Sequence, residues 1–231
     1  MSSHDVYQIQ GREVTLPCIV RDASSGNAMY MVPAEAAQKL IPGDAFEVME
    51  VAPGQAQLIL GIIDYRDNDL GDYNEMAIIF LVKPKGAEAD AAGTFIYKLP
   101  VDQAFTCEAG STIWGFPKTV QQIDMEYRTD RASLKLVYDG VHALTLSLPR
   151  GGSKSLPEST LTGFTSIEGV AHTNEFRSGA EGFGVRLGGA ELSLGEGLIA
   201  DQLRSLGLPK KALMTTWMEK MYATFGPSEK L

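Results

Sequence analysis

Hydrophobic and polar positions alternate over short stretches along much of this chain, which is the period of half-buried strands. Glu13 to Val20 alternates in this way and ends near Pro17-Cys18. Phe46 to Val51 and Gln57 to Ile63 flank Ala52-Pro53-Gly54, a turn signal, and read as a hairpin. Tyr73 to Val82 is nearly all apolar after Glu75, which predicts a strand buried on both faces. Phe95 to Leu99 leads into Pro100 as a further strand. Ser133 to Tyr138 and Val141 to Leu148 flank Asp139-Gly140, a strong short hairpin signal. Gly184 to Leu187 and Ala190 to Leu194 flank Gly188-Gly189 and predict a second hairpin. Met214 to Phe225 alternates loosely and is read as a strand.

Helical signals are few. Pro33 to Leu40 begins with proline, continues in strong helix formers and is stopped by Pro42-Gly43. Leu198 to Leu206 places Leu198, Ile199, Leu203 and Leu206 roughly on one side, and Gly207 and Pro209 end it. Gly and Pro, 24 and 11 residues, punctuate the whole chain evenly, and no polar linker or repeat divides it. The pattern predicts one α+β, β-rich, mostly antiparallel domain over residues 1–231.

Composition narrows the function. A net charge of −9 disfavours binding to a phosphate backbone, so no nucleic-acid partner is expected. The longest apolar run, Met76 to Val82, has seven residues, against the roughly 20 of a membrane span. The first residues carry neither a basic nor an apolar signal segment. Two cysteines, Cys18 and Cys107, make no disulfide framework and read as reduced thiols in a cytoplasmic protein. His4, His142 and His172 are too scattered for a metal site, so neither metal nor cofactor is expected. The glycine string from Gly182 to Gly188 lacks the strand-then-helix setting of a phosphate loop and reads as a hairpin turn. Asp64 to Asp72 lacks the Gly and Glu of a calcium loop and reads as a solvated loop.

Two segments carry chemistry. In Trp114-Gly115-Phe116-Pro117-Lys118 a lysine follows an apolar, aromatic approach. Desolvation there lowers an amine's pKa, and a neutral amine can attack a carbonyl to form a Schiff base. On spacing alone, a surface lysine with a buried stem is the commoner outcome. In Tyr73-Asn74-Glu75 a carboxylate stands at the mouth of a buried strand, a costly placement that is usually paired or functional.

Together these segments resemble the acetoacetate decarboxylase family, whose members carry a Tyr-x-Glu entering an apolar strand and, later, an aromatic-Pro-Lys that supplies the Schiff-base lysine. Lys118 stands 43 positions after Glu75, in keeping with the family's order and spacing. The resemblance covers roughly residues 13 to 225. It implies a closed or cone-like β-barrel with few short helices, assembled into a homo-oligomer. It also implies a catalytic pair, Lys118 and Glu75, with Trp114, Phe116, Tyr73 and Thr119 against a small oxo acid substrate. Three departures stand out. Thr119 replaces a second lysine, Ser111 and Thr112 replace an Arg and a Glu, and ungapped counting lands a further pocket glutamate on Leu60. An arginine near the early helix is matched only by Arg21, with a gap. The implied activity is decarboxylation of a β-keto acid such as acetoacetate through an imine on Lys118. The alternatives are aldol or dehydration chemistry on pyruvate-like oxo acids, or a small-molecule-binding member without chemistry. Lys118 is expected at the floor of an apolar cavity, activated by burial alone because Thr119 brings no charge.

Overall fold

The computed structural model describes residues 5–167 and 169–231. In chain order its first half comprises β1 (Val6–Ile9), β2 (Arg12–Thr15), β3 (Cys18–Pro33), α1 (Ala34–Gln38), β4 (Phe46–Val48), β5 (Glu50–Ala52), β6 (Gln55–Asn68), β7 (Tyr73–Pro84) and β8 (Gly93–Val101). The second half comprises α2 (Ala104–Trp114), β9 (Lys118–Val120), β10 (Gln122–Tyr127), β11 (Arg131–Tyr138), β12 (Val141–Pro149), β13 (Lys154–Ile167), β14 (Val170–Leu187), β15 (Glu191–Leu194), α3 (Leu198–Ser205) and β16 (Met214–Lys230).

Seven strands close into a barrel in the order β7-β6-β3-β16-β14-β13-β8, and β7 pairs with β8 to complete the ring. A closed ring with an odd number of strands cannot alternate direction throughout, so one neighbouring pair must run parallel. That pair is β8 with β13, joined over only Gly163–Thr94 and Phe164–Phe95. A four-stranded sheet, β10-β11-β12-β15, packs outside the barrel.

This packing explains the continuous apolar runs. Even-numbered residues Leu58, Leu60, Ile62, Met76, Ile78 and Phe80 point outward into a core shared with Leu134, Leu136, Leu144 and Leu146 of the second sheet. Odd-numbered neighbours point into the barrel, so β6 and β7 are buried on both faces.

Several expectations change here. Gly188-Gly189 is not a hairpin turn. Both edges of β14 are already occupied by β13 and β16, so β15 crosses to pair with β12 instead. The glycine string from Gly182 therefore lies in and just beyond β14. The stretch from Glu13 to Val20 splits at Pro17, which has no N–H for a ladder, and residues on either side join different sheets. The Phe46 to Val51 arm divides too: β5 turns back on β6 as expected, while β4 pairs with β7. The acidic stretch from Asp64 is strand as far as Asn68, its carboxylates held by Arg66 and Arg21. Ile199 and Leu203 of α3 and Leu206 at its end are buried at helical spacing, whereas Leu198 is one position off that face and exposed. Among the described residues no helix is long and apolar enough to cross a membrane.

Leu60 is fully buried between barrel and sheet. Leu60→Ala should lower the unfolding free energy by about 2–5 kcal/mol. The shift would be read as a lower urea midpoint with unchanged slope; a midpoint indistinguishable from the parent would contradict the packing of sheet on barrel.

Candidate active site

Inward residues of the barrel stack in register. Ala23, Tyr65 and Tyr73 form one layer. Ser25, Ile63, Glu75 and Val101 form the next. Asn27, Gly61 and Ala77 then share a level, and Leu99 pairs with Lys118 beside them. Met29, Ile59, Ile79 and Ile96 make a fourth layer. The two-residue period of the strands thus brings Glu75 and Lys118 to adjacent levels of one cavity of about 380 Å³.

Helix α2 sets the lysine. The Gln103 side chain accepts from Thr106 N at its start, and Gly115, at φ 66°, ends it in the left-handed conformation. Phe116 N then donates to Gly110 O, turning the chain back so that Lys118 opens β9 beneath the helix. A Cβ at Gly110 would lie 2.7 Å from both Cδ and Cε of Lys118, so the absence of a side chain there makes room for the lysine stem.

The Lys118 ammonium lies 3.0 Å from Glu75 Oε2, with side chains 3% and 6% exposed. It donates to Thr106 Oγ1 at 3.0 Å and stands 4.8 Å from the centre of the Tyr73 ring. Tyr65 OH donates to Glu75 Oε1 at 3.4 Å, and its ring stacks on Tyr73 at 4.5 Å. Burial pushes the Tyr73 phenol up to about 12 and raises Tyr65 well above the ordinary value, so both are neutral at neutral pH. Burial, followed by the Asp69 charge, likewise pushes the Cys18 thiol in the same cavity up to about 12, so it is a wall and not a nucleophile. Both cysteines are free.

For Lys118 the expectation of a lowered pKa fails. Burial, the largest influence, pulls it down, but the Glu75 carboxylate and Tyr73 more than offset this and leave it above the ordinary lysine value. Desolvation weakens a cation only until an anion shares the site. The resting state is therefore an ion pair, and the amine becomes a nucleophile by handing its proton to Glu75.

Trp114 and Phe116 stack on one another at 5.6 Å and line the cavity with Tyr73, Glu75 and Lys118. Thr119 does not line it, because adjacent residues of a strand face opposite ways. The hydroxyl beside the amine is that of Thr106, which the sequence reading missed. Its signal was the buried face Thr106, Ala109, Gly110 and Ile113 at helical spacing. Tyr65 was missed for want of any motif. Leu60 is not a lost pocket position either: it faces the outer core, and its cavity-facing neighbours are Ile59 and Gly61. Asp64 shares that outward parity and binds Arg66 and Tyr127. Arg21 is exposed and paired with Asp67 and Asp69. His142 bonds Thr145 and His172 bonds Ser228, while His4 lies outside the described residues. Among the described residues no group of three His, Cys, Asp or Glu side chains could hold a metal ion.

A sequence profile described as acetoacetate decarboxylase matches residues 10–228. The chain belongs to the acetoacetate decarboxylase family. A search of curated proteins finds no match. Similar solved structures share the fold at low identity. The acetoacetate decarboxylase from Legionella pneumophila is 16% identical, with a TM-score of 0.68 over 100% of this chain and 90% of that one. The enduracididine biosynthesis enzyme MppR, complexed with pyruvate, is 15% identical, with a TM-score of 0.64 over 93% and 90%. An acetoacetate decarboxylase-like enzyme from Sphingomonas wittichii RW1 is 16% identical, with a TM-score of 0.62 over 94% of each chain.

The ion pair has a pH signature. A folded-state pKa raised above the ordinary lysine value of 10.5 stabilises the fold fully below that pH, and the contribution is lost as pH rises through the folded value. The stability gap between the parent and Lys118→Met should therefore narrow above about pH 10.5, as urea unfolding would measure. A gap that stayed constant into the alkaline range would mean that the ammonium is not paired in the fold.

Proposed function

We propose that this chain is a Schiff-base-forming lyase that decarboxylates a β-oxo acid through an imine on Lys118. The observation that carries the reading is the buried amine 3.0 Å from a buried carboxylate in the wall of a largely apolar cavity that no other charged side chain lines among the described residues. Such a pair contributes little to stability relative to packed apolar residues, because both ions lose hydration. Its presence is better explained by chemistry.

The steps follow from the proton inventory. Glu75 takes a proton from the Lys118 ammonium, and the freed amine adds to the substrate carbonyl. Glu75 returns that proton to the departing hydroxyl, water leaves, and a cationic imine remains. Cleavage of the carboxylate bond releases carbon dioxide, and its electron pair moves into the imine to give a neutral enamine. Glu75, recharged with one proton from solvent, protonates the enamine carbon. Water then hydrolyses the imine, freeing the ketone and the Lys118 ammonium. Overall, one proton is consumed for each carbon dioxide released. Thr106 and Tyr73 hold the amine in place, and Tyr65 holds the far oxygen of Glu75.

The complex of MppR with the condensation product of pyruvate and imidazole 4-carboxaldehyde favours a second reading, in which the enamine of an oxo acid attacks an aldehyde instead of arising by decarboxylation. Release of carbon dioxide separates the two.

Borohydride reduction in the presence of acetoacetate or pyruvate should add the reduced substrate's mass to the peptide containing Lys118. No adduct with any oxo acid would leave a binding protein without chemistry. Glu75→Gln should slow turnover by about 10²–10⁴-fold while changing substrate affinity far less; activity within a few-fold of the parent would make Glu75 structural.

Gly110→Ala tests the seat of the lysine. Its methyl group must displace the Lys118 stem, so trapping should fall at least tenfold. Stability should fall by about 1–3 kcal/mol, because the methyl overpacks a buried stem and strains the ion pair by more than alanine gains as a helix former. Undiminished trapping would show that the lysine reaches its partners by another route.

A further inference from the structure

Beyond the ion pair and Asn27, one wall of the cavity is aliphatic. Met29, Ile59, Ile79 and Ile96 lie side by side in register on four neighbouring strands, and each is only half-buried, in contrast to the buried tyrosine and glutamate layers. Leu161, 45% exposed, and Met218 line the same cavity from the opposite strands. A collar of partly exposed aliphatic side chains continuous with a buried reactive amine is a wall built for apolar contact. Charge gives the complementary evidence. Among the described residues lining the cavity, only Lys118 and Glu75 are ionised, and they neutralise one another. Arg21, the cation nearest in sequence to the lining residues Cys18 and Val20, is spent on Asp67 and Asp69. Size agrees as well: about 380 Å³ exceeds what the non-hydrogen atoms of acetoacetate would fill even at the roughly 30 Å³ of a liquid water molecule each.

We infer that the substrate is a β-oxo acid whose carbonyl bears an extended aliphatic substituent, which lies along the Met29–Ile59–Ile79–Ile96 collar while the carboxylate stands beside Lys118. This rests on the Schiff-base reading above. The products are then a methyl ketone of medium chain length and carbon dioxide. A reaction that elongates or oxidises an acyl chain to the β-oxo stage must supply the substrate.

The test uses 2-alkanones of increasing length, from acetone upward, with borohydride and peptide mapping. The amine of Lys118 condenses with each ketone with loss of water, and borohydride delivers hydride to the imine carbon to fix the adduct. The ketone concentration giving half-maximal trapping should fall about fourfold per added methylene until the cavity is full. Over four methylenes that is on the order of a few hundredfold. Ile59→Asn, which puts an amide into the collar, should flatten this dependence. Acetone trapping at concentrations as low as the longer homologues would overturn the inference and leave the Schiff-base reading intact. Absence of any Lys118 adduct across the series would overturn both. The parent series decides the question even if the variant fails to fold.

Discussion

The buried ion pair between Lys118 and Glu75 is the constraint around which the site is arranged. Each ion alone would be intolerable in an apolar cavity, and each is tolerated because the other is 3.0 Å away. Keeping them there requires a strand of correct parity for Glu75, a second strand entering alongside for Lys118, and a helix without a side chain at Gly110. Thr106 and Tyr65 complete the shell: Thr106 accepts a second hydrogen bond from the amine, and Tyr65 donates one to the carboxylate. The pair also sets the chemistry: it stores a proton between two groups that can exchange it without creating net charge.

Both faces of β3, β6 and β7 are occupied, one by the cavity and one by the outer sheet. A change of register by one residue would exchange Leu60 for Gly61 and Met76 for Glu75, placing a carboxylate in the outer core and a leucine in the cavity. The second sheet therefore fixes which residues the cavity can have, although it contributes no side chain to the cavity lining.

What was legible in the sequence follows from these pressures. The Tyr73–Val82 run, the Asp139-Gly140 turn and the Met214–Phe225 strand stood out because burial or turn geometry dictated their residues directly; Asp139 and Gly140 do adopt φ of 50° and 79°. Strand β13 did not, since most of its residues are exposed, it carries Pro157, and its order comes from pairing with β14 rather than from an apolar face. Helix α2 was obscured because Thr106 and Gly110, which serve the lysine, interrupt its apolar stripe. Lys118 and Glu75 could be singled out from their apolar surroundings. The direction of the lysine's pKa shift could not, because it depends on a distance between strands that no local pattern encodes. Thr119 and Leu60 fail for one reason: matching residues by count ignores which way a strand side chain points.

The odd strand number has a mechanical consequence. The parallel joint between β8 and β13 is short, whereas the joint between β14 and β16 runs from His172–Lys230 to Leu187–Met214. A wall closed by so few cross-strand bonds at one place opens there at the smallest free-energy cost. Thr94 at that joint lines the cavity, as do Ile96 two residues along β8 and Leu161 two residues before Gly163 on β13. The geometry that closes the barrel thus leaves its shortest strand joint beside the cavity, on β8, the strand that also pairs with β7 and β9, the carriers of Glu75 and Lys118.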